Sequence, residues 1–197
     1  CMWNRTENQI ELYLIRHGMT PGNAEHRYIG RQTDEPLSED GRQQLEKRKD
    51  QWAQVCRTWD MPYVFVSPML RCRQTAEILF PQIPQIEIDP WREMDFGEFE
   101  GMPNTDFDFN TFWSYKKNLK YNKAENIRDF FGRVYDFLDS IKNEYAGKRI
   151  LIVAHGGISI PVKCYFEGIL DAETLLSLCL ENCEVAKYSY KELDFER

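Results

Sequence analysis

Short apolar runs alternate with longer amphipathic stretches along the chain. The apolar runs are rich in β-branched or aromatic residues and occupy 10–15, 63–66 and 149–154. Such runs are typical of strands that are buried on both faces of a sheet. Apolar residues recur at helical spacing in 39–56, 67–79 and 127–141. This alternation of strands and helices predicts an open α/β sheet.

Weaker patterns predict three further elements. Residues 86–89 are expected to form a third strand, and residues 183–190 a last strand. Ser159 and Pro161 are residues that suit the start of a helix, which would continue through Phe166. Ser38, followed by two acidic residues, is expected to cap the helix that begins near residue 39.

The length and charge of the chain limit the functions it can have. It has 197 residues, enough for one domain with a substantial core, and 25 basic against 32 acidic residues give a formal net charge of -7. This balance disfavours sequence-independent binding to nucleic acid or to an anionic membrane. No apolar run is long enough to cross a bilayer. An anionic substrate must therefore be held by a local cluster of cations.

The six cysteines are scattered without a Cys-x-x-Cys pair, and the first residues lack an apolar signal core. We therefore expect free thiols and a cytoplasmic location. Cys179 and Cys183 lie one helical turn apart, but no histidine is near them in the sequence, so packing is favoured over a shared metal. With no metal-ligand cluster and no phosphate-binding glycine loop of the Walker type, we predict no metal and no cofactor.

Residues able to do chemistry follow the predicted strands. These are Arg16 and His17 after 10–15, Arg71 and Arg73 after 63–66, Glu93 after 86–89, and His155 with Gly156 after 149–154. Open α/β sheets bind their ligands at the carboxyl ends of strands. Taken alone, however, His17 is equally compatible with a structural role, and the acidic segment that contains Glu93 is more often a solvated surface.

Together these segments resemble the sequence blocks of the histidine phosphatase superfamily, the phosphoglycerate mutase-like proteins. The matching blocks are Arg16-His17-Gly18-x-Thr20 with Asn23, the stretch 28–41, Ser67-Pro68 with Arg71 and Gln74-Thr75-Ala76, the stretch 91–101, and His155-Gly156-Gly157. The resemblance implies a single domain over 1–197, a three-layer α/β/α sandwich with a mostly parallel central sheet. It also leads us to expect a helical lid-like insertion at about 102–146.

The resemblance also implies roles for individual residues. His17 would carry the phosphoryl group, and Glu93 would act as acid and base, with His155, Arg16 and Arg71 completing the catalytic set. The implied phosphate-binding set is Arg16, Thr20, Asn23, Gly30, Arg71, His155 and Gly156. The cations should lower the pKa of His17, burial should raise the pKa of Glu93, and a carbonyl such as that of Gly18 would fix the tautomer of His17.

A small phosphate ester is the expected partner, and hydrolysis is the expected reaction. In mutases of the family a basic segment follows the acid, whereas Glu93 is followed by Met94-Asp95-Phe96-Gly97. The run from Tyr28 to Leu37 looks most like the α-ribazole phosphatase and broad phosphomonoesterase branch, which suggests α-ribazole phosphate. Phosphoglycerate mutase activity and a non-catalytic phosphate-binding module remain alternatives, and a homodimer is left open.

The segment 107–121 allows two interpretations. It mixes six aromatic residues with Lys116, Lys117 and Lys120. As a lid it would place aromatic faces and cations above an anionic, ring-bearing substrate. Alternatively, its aromatic residues pack against the domain and form part of the core.

Overall fold

A computed structural model of the chain describes residues 10–61, 63–168 and 175–190. Within those residues the strands are β1 Glu11–Arg16, β2 Val64–Val66, β3 Gln85–Glu87, β4 Arg149–Ala154 and β5 Val185–Ser189. They form one sheet in the order β3-β2-β4-β1-β5. Strands β1 to β4 pair in parallel, and β5 runs antiparallel along β1. The predicted mostly parallel sheet is confirmed.

Helices cover both faces of this sheet. The helices are α1 Pro21–Ala24, α2 Glu39–Thr58, α3 Leu70–Leu79, α4 Phe109–Phe112, α5 Ile127–Glu144 and α6 Gly156–Glu167. Buried side chains of α5 and α6 pack with Leu12 and Leu14 of β1 in one core cluster. Those of α2 and α3 pack with Ile15 and Val153 in a second cluster. The fold is therefore the expected three-layer α/β/α sandwich.

Two long helices, α2 and α5, form where the sequence predicts them, and α2 begins at its predicted cap. The Ser38 side chain accepts a hydrogen bond from the Gly41 amide at 3.0 Å, and Glu39 and Asp40 occupy the first turn of α2. Helix α5 buries one face along its length, from Ile127 to Ile141. Among the described helices, none is both long and apolar enough to span a membrane.

Three predicted boundaries were wrong. Helix α3 begins at Leu70, three residues later than the predicted range of 67–79. Helix α6 begins at Gly156, directly after β4 and its N-cap His155, rather than near Ser159, and Pro161 lies inside it. Two consecutive glycines suggest a loop, but here they allow the first helical turn to pass close to other backbone and side chains. Strand β3 spans Gln85–Glu87, one residue earlier than expected, and Asp89 already belongs to a 3-10 turn. The last strand lies inside the predicted range.

The aromatic side chains of 107–121 pack into the core. Only one helical turn, α4, forms there, and Phe109, Phe112 and Trp113 are almost fully buried in the cluster that includes Phe130. The three lysines of the segment are exposed. The structure thus favours the packing interpretation for these aromatics, and a lid-like role for 102–146 stays a prediction.

Candidate active site

The carboxyl ends of β1 and β4 place two histidines side by side. The His17 amide donates to the Ala154 carbonyl at 3.0 Å, and the rings of His17 and His155 stand edge to face with centroids 5.3 Å apart. His17 is 3% exposed and His155 is fully buried. Parallel pairing of the two strands thus brings together two residues that are 138 positions apart in the chain.

His17 is held as a neutral imidazole, and its Nε2 has no hydrogen-bond partner among the residues that the structure describes. Its Nδ1 lies 2.7 Å from the Gly18 carbonyl oxygen, so Nδ1 carries the proton and Nε2 keeps its lone pair. Burial lowers the pKa of His17 well below its ordinary value, and the charges of Arg71 and Arg16 lower it further. The Gly18 amide is itself anchored by the Thr75 hydroxyl at 2.9 Å.

The two arginines present unsatisfied donors beside this histidine. Arg71 is 1% exposed, and its guanidinium donates to the carbonyls of Thr33 at 2.8 Å and Gly30 at 3.2 Å. The Arg16 guanidinium donates to the Leu180 carbonyl at 2.5 Å. Within the described residues, the buried Nε atoms of both arginines have no hydrogen-bond partner. Buried donors are normally satisfied, so these two guanidinium groups have donors left for a ligand, and the binding of an anion there stays a prediction.

His155 adds a further polar group to this pocket. Its Nε2 lies 2.7 Å from the Ser67 hydroxyl oxygen, and the Cys72 sulfur lies 3.5 Å from the same nitrogen. Burial is the main cause that lowers the pKa of His155 well below its usual value, and electrostatic interaction with Arg71, His17 and Arg16 lowers it further. His155 is therefore neutral at pH 7 and can act as a hydrogen-bond donor through one ring nitrogen.

Glu93 is buried against the start of α6. Its Oε1 accepts from the Met94 amide at 2.8 Å, and its Oε2 accepts from the Gly157 amide at 3.0 Å. Burial raises the pKa of Glu93, and this effect exceeds the opposite effects of the two amides and the nearby arginines. The carboxyl group therefore holds its proton to higher pH than an exposed glutamate does, as a general acid must.

The remaining predicted phosphate ligands, Thr20, Asn23, Gly30 and Gly156, make contacts with other residues of the protein. The hydroxyl oxygen of Thr20 accepts from the Asn23 amide at 3.2 Å, while the Asn23 side-chain oxygen accepts from the Thr20 amide, so the two residues cap α1 reciprocally. Gly30 supplies a carbonyl to Arg71. Gly156 lies so close to Arg16 that an added Cβ would be 2.9 Å from the guanidinium carbon. Their contact with a phosphate stays a prediction.

A cavity of about 420 Å³ opens next to these groups. Arg16, Glu93 and Gly156 line one part of it. Its apolar wall consists of Tyr28, Ile29, Phe96, Trp113, Ile160 and Leu176. His17, Arg71 and His155 are almost fully buried and are not among the lining residues. The cavity therefore reaches the site at Arg16, Glu93 and Gly156, and its wall is part apolar and part polar.

Sequence reasoning did not single out Asn182. Its side-chain amide donates to the His17 carbonyl at 3.2 Å and to the Asn23 side-chain oxygen at 3.1 Å. Because β5 runs antiparallel along β1, the residues just before β5 must lie beside the end of β1. This topological rule could have identified Asn182, but only after the pairing of the last strand was known.

No metal centre is evident in the part of the chain that the structure describes, where no three His, Cys, Asp or Glu residues are grouped to hold an ion. Cys179, one of the two cysteines considered above, instead places its sulfur 3.8 Å from an Arg16 nitrogen. Cys183 is a buried free thiol.

Known proteins resemble this chain over almost its whole length. The family model of the histidine phosphatase superfamily (branch 1) matches residues 12–196. The relative "Uncharacterized phosphatase PhoE" of Bacillus subtilis (strain 168) is 29% identical over 187 residues, covering 92% of each chain. "Probable phosphoglycerate mutase GpmB" of Enterobacter sp. (strain 638) is 30% identical over 194 residues, which cover 93% of this chain and 86% of the relative.

Solved structures share the fold. Bacillus stearothermophilus YhfR superposes with a TM-score of 0.74 at 27% identity, covering 90% of both chains. A putative alpha-ribazole-5'-P phosphatase from Escherichia coli str. K-12 substr. MG1655 also gives a TM-score of 0.74, at 22% identity, covering 93% of this chain and 91% of that one. The second likeness is a likeness of fold.

Proposed function

The chain belongs to the histidine phosphatase superfamily, and on that premise we propose that it is a phosphatase that hydrolyses a small phosphorylated metabolite through a phosphohistidine intermediate on His17. One observation carries the proposal: a neutral imidazole with a free Nε2 lies next to two arginines whose buried Nε donors lack partners. A nucleophile and an anion-binding pocket therefore coincide.

In the first step the Nε2 lone pair of His17 attacks phosphorus, and the bond from phosphorus to the ester oxygen breaks. Glu93 gives its proton to the leaving oxygen, so the alcohol departs neutral. Arg16, Arg71 and His155 surround the equatorial oxygens, where negative charge must be stabilised as the phosphoryl group is transferred.

In the second step the ionised Glu93 takes a proton from water, and the water oxygen attacks phosphorus. The bond between phosphorus and Nε2 breaks, which restores the neutral imidazole and leaves Glu93 protonated again. Inorganic phosphate is the second product. The amides of Met94 and Gly157 support the carboxylate form that this step requires, while burial supports the acid form that the first step requires.

The cavity supports a ring-bearing leaving group. Tyr28, Phe96 and Trp113 line it beside Arg16 and Glu93, so the alcohol part of an ester would meet apolar ring surface there. A three-carbon acid such as glycerate would fill only a fraction of about 420 Å³. We therefore propose an ester whose alcohol carries an aromatic ring, with α-ribazole phosphate as the specific compound to test first.

Mutase activity is the second candidate because a probable phosphoglycerate mutase is 30% identical to the chain. A non-catalytic phosphate-binding module is less well supported, because binding alone does not require a buried acid such as Glu93 beside the pocket.

Three substrates separate these functions. The protein is incubated with 4-nitrophenyl phosphate, α-ribazole phosphate and 3-phosphoglycerate, and released phosphate and 2-phosphoglycerate are both measured. Phosphate release from the first two, lost in His17→Ala, is the expected result. Isomerisation of 3-phosphoglycerate without net phosphate release would identify a mutase, and binding of inorganic phosphate without either reaction would identify the non-catalytic module.

A further inference from the structure

Arg133 of helix α5 is largely buried, and its side chain contacts the loop that contains Glu93. The side chain of Arg133 is 18% exposed and that of its partner Glu125 is 15% exposed. The Arg133 guanidinium donates to the carbonyls of Pro90, of Arg92 at 2.7 Å and of Glu93 at 3.1 Å. The first of these carbonyls belongs to a 3-10 turn and the other two to the irregular stretch after it, where main-chain groups need partners outside regular secondary structure.

Glu125 binds both the Arg133 guanidinium and the main chain of the same loop. Its two carboxylate oxygens accept from Nε of Arg133 at 2.7 Å and from Nη2 at 3.1 Å. Its amide donates to the Asp95 carbonyl at 2.8 Å, and its Oε2 accepts from the Asp95 amide at 3.3 Å. All five N–H donors of Arg133 are thus engaged, and the loop is held immediately before and after Met94.

We propose that Arg133, fixed by Glu125, is a positioning residue that aims the carboxyl group of Glu93 at the ester oxygen. The proposal rests on the proposed function, because it gives Glu93 the role of acid. Arg133 is not itself a catalytic residue, since its donors are used by main-chain carbonyls and by Glu125. Its planar fork suits this task, because it can reach several fixed acceptors at once, whereas a lysine offers three donors from a single atom.

The variant Arg133→Lys keeps the charge and removes the fork. We expect kcat/KM, which reports the step that breaks the ester bond, to fall about 10- to 100-fold for alkyl phosphates, because a reacting group misplaced by about 1 Å costs about that much in rate. For 2,4-dinitrophenyl phosphate, whose leaving group needs little protonation, the expected loss of kcat/KM is below about 3-fold. Inhibition by inorganic phosphate should not change, because Arg16 and Arg71 are untouched.

Arg128→Gln is the matched control. Arg128 lies on the same helix, and its guanidinium donates to the carbonyls of Tyr115 and Lys116 rather than to the loop of Glu93. Its replacement should leave the dependence on the leaving group as it is. The double variant Glu93→Gln with Arg133→Lys should be no slower than Glu93→Gln alone, because a positioning residue has no effect once the acid is gone.

A second readout needs no turnover. The carbon-13 resonance of the Glu93 carboxyl reports its pKa, which burial raises in the intact protein. In Arg133→Lys this pKa should fall toward the ordinary value as the carboxyl group leaves its buried place, and in Arg128→Gln it should not move. An unchanged Glu93 titration in Arg133→Lys overturns the proposal.

Equal loss of kcat/KM for all leaving groups, weaker inhibition by phosphate or an additive double variant would also overturn it and leave Arg133 a purely structural role. Failure of the proposed function looks different, since the unsubstituted protein would then hydrolyse none of the esters.

Discussion

Replacing Gly157 with alanine should displace the acid without altering the groups that bind phosphate. A Cβ at this position would lie 2.1 Å from Oε1 and 2.9 Å from Cδ of Glu93. Carbon and oxygen atoms approach no closer than about 3.3 Å in ordinary contacts, so the carboxyl group must move by about 1 Å. The added methyl group cannot avoid Glu93 by shifting toward Trp113, because a buried ring carbon of Trp113 lies 3.1 Å from the same Cβ.

This displacement sets the expected size of the effect. A reacting group that is misplaced by about 1 Å costs about 100-fold in rate. The loss cannot exceed the whole contribution of a general acid, about 10²- to 10⁴-fold. The hydrogen bond from the Gly157 amide to Glu93, now 3.0 Å, would be weakened at the same time. We therefore expect kcat/KM for alkyl phosphates to fall about 100-fold, with a much smaller loss of kcat/KM for dinitrophenyl phosphate.

The assay is steady-state hydrolysis of a series of phosphate esters, with thermal unfolding to show that the variant is folded. Gly132→Ala is the control, because no atom lies within 4 Å of a Cβ added at that position of α5. Alanine in a helix interior should stabilise the control by about 0.5–1 kcal/mol and leave kcat/KM unchanged. A folded Gly157→Ala variant with undiminished kcat/KM for alkyl phosphates would refute the assigned position of Glu93 or its role as acid.

Two further predictions concern protonation and phosphate binding. The value of kcat/KM should be highest at acidic pH, because neutral His17 persists to well below pH 6.5 while Glu93, with a pKa raised above 4.5, loses its proton as pH rises. Glu93→Gln should abolish the alkaline decline, and a decline between pH 7 and pH 6 would contradict the neutral state of His17. Arg71→Lys should weaken inhibition by inorganic phosphate about 10-fold or more, because lysine cannot bond the carbonyls of Thr33 and Gly30 while facing an anion. The control Arg73→Lys alters a side chain that is 44% exposed and should have no effect.

The parts of the fold and site that follow local rules could be predicted from the sequence. Apolar runs identified β1, β2 and β4, and the rule that ligands collect at the carboxyl ends of parallel strands placed Arg16, His17 and His155 together. The contact between His17 and the Gly18 carbonyl also matched expectation, because it joins neighbouring residues.

Features that depend on distant main-chain groups could not be predicted. Arg133 occupies a polar position of an amphipathic helix, and such positions usually face solvent. Its acceptors are main-chain carbonyls, which every residue has, so the sequence does not indicate which of them it bonds. The family resemblance implies that Thr20 and Asn23 are ligands of phosphate, which stays a prediction, whereas their reciprocal helix cap was seen only in the structure.

The start of α6 shows how tertiary contact overrides local preference. Gly156 and Gly157 disfavour a helix by intrinsic propensity. They are nevertheless helical. Both positions require glycine, because Arg16 and Glu93 occupy the space that a side chain would need. Only the assembled site reveals why both positions are glycine.

The most direct test is to quench a turning-over sample within milliseconds and to examine it for covalently bound phosphorus. The account predicts a phosphoryl group on His17 that is labile in acid and stable in base, absent from His17→Ala, and longer-lived in Glu93→Gln with dinitrophenyl phosphate. Turnover without any phosphorylated His17, or an acid-stable phosphate ester on a hydroxyl such as that of Ser67, would contradict it.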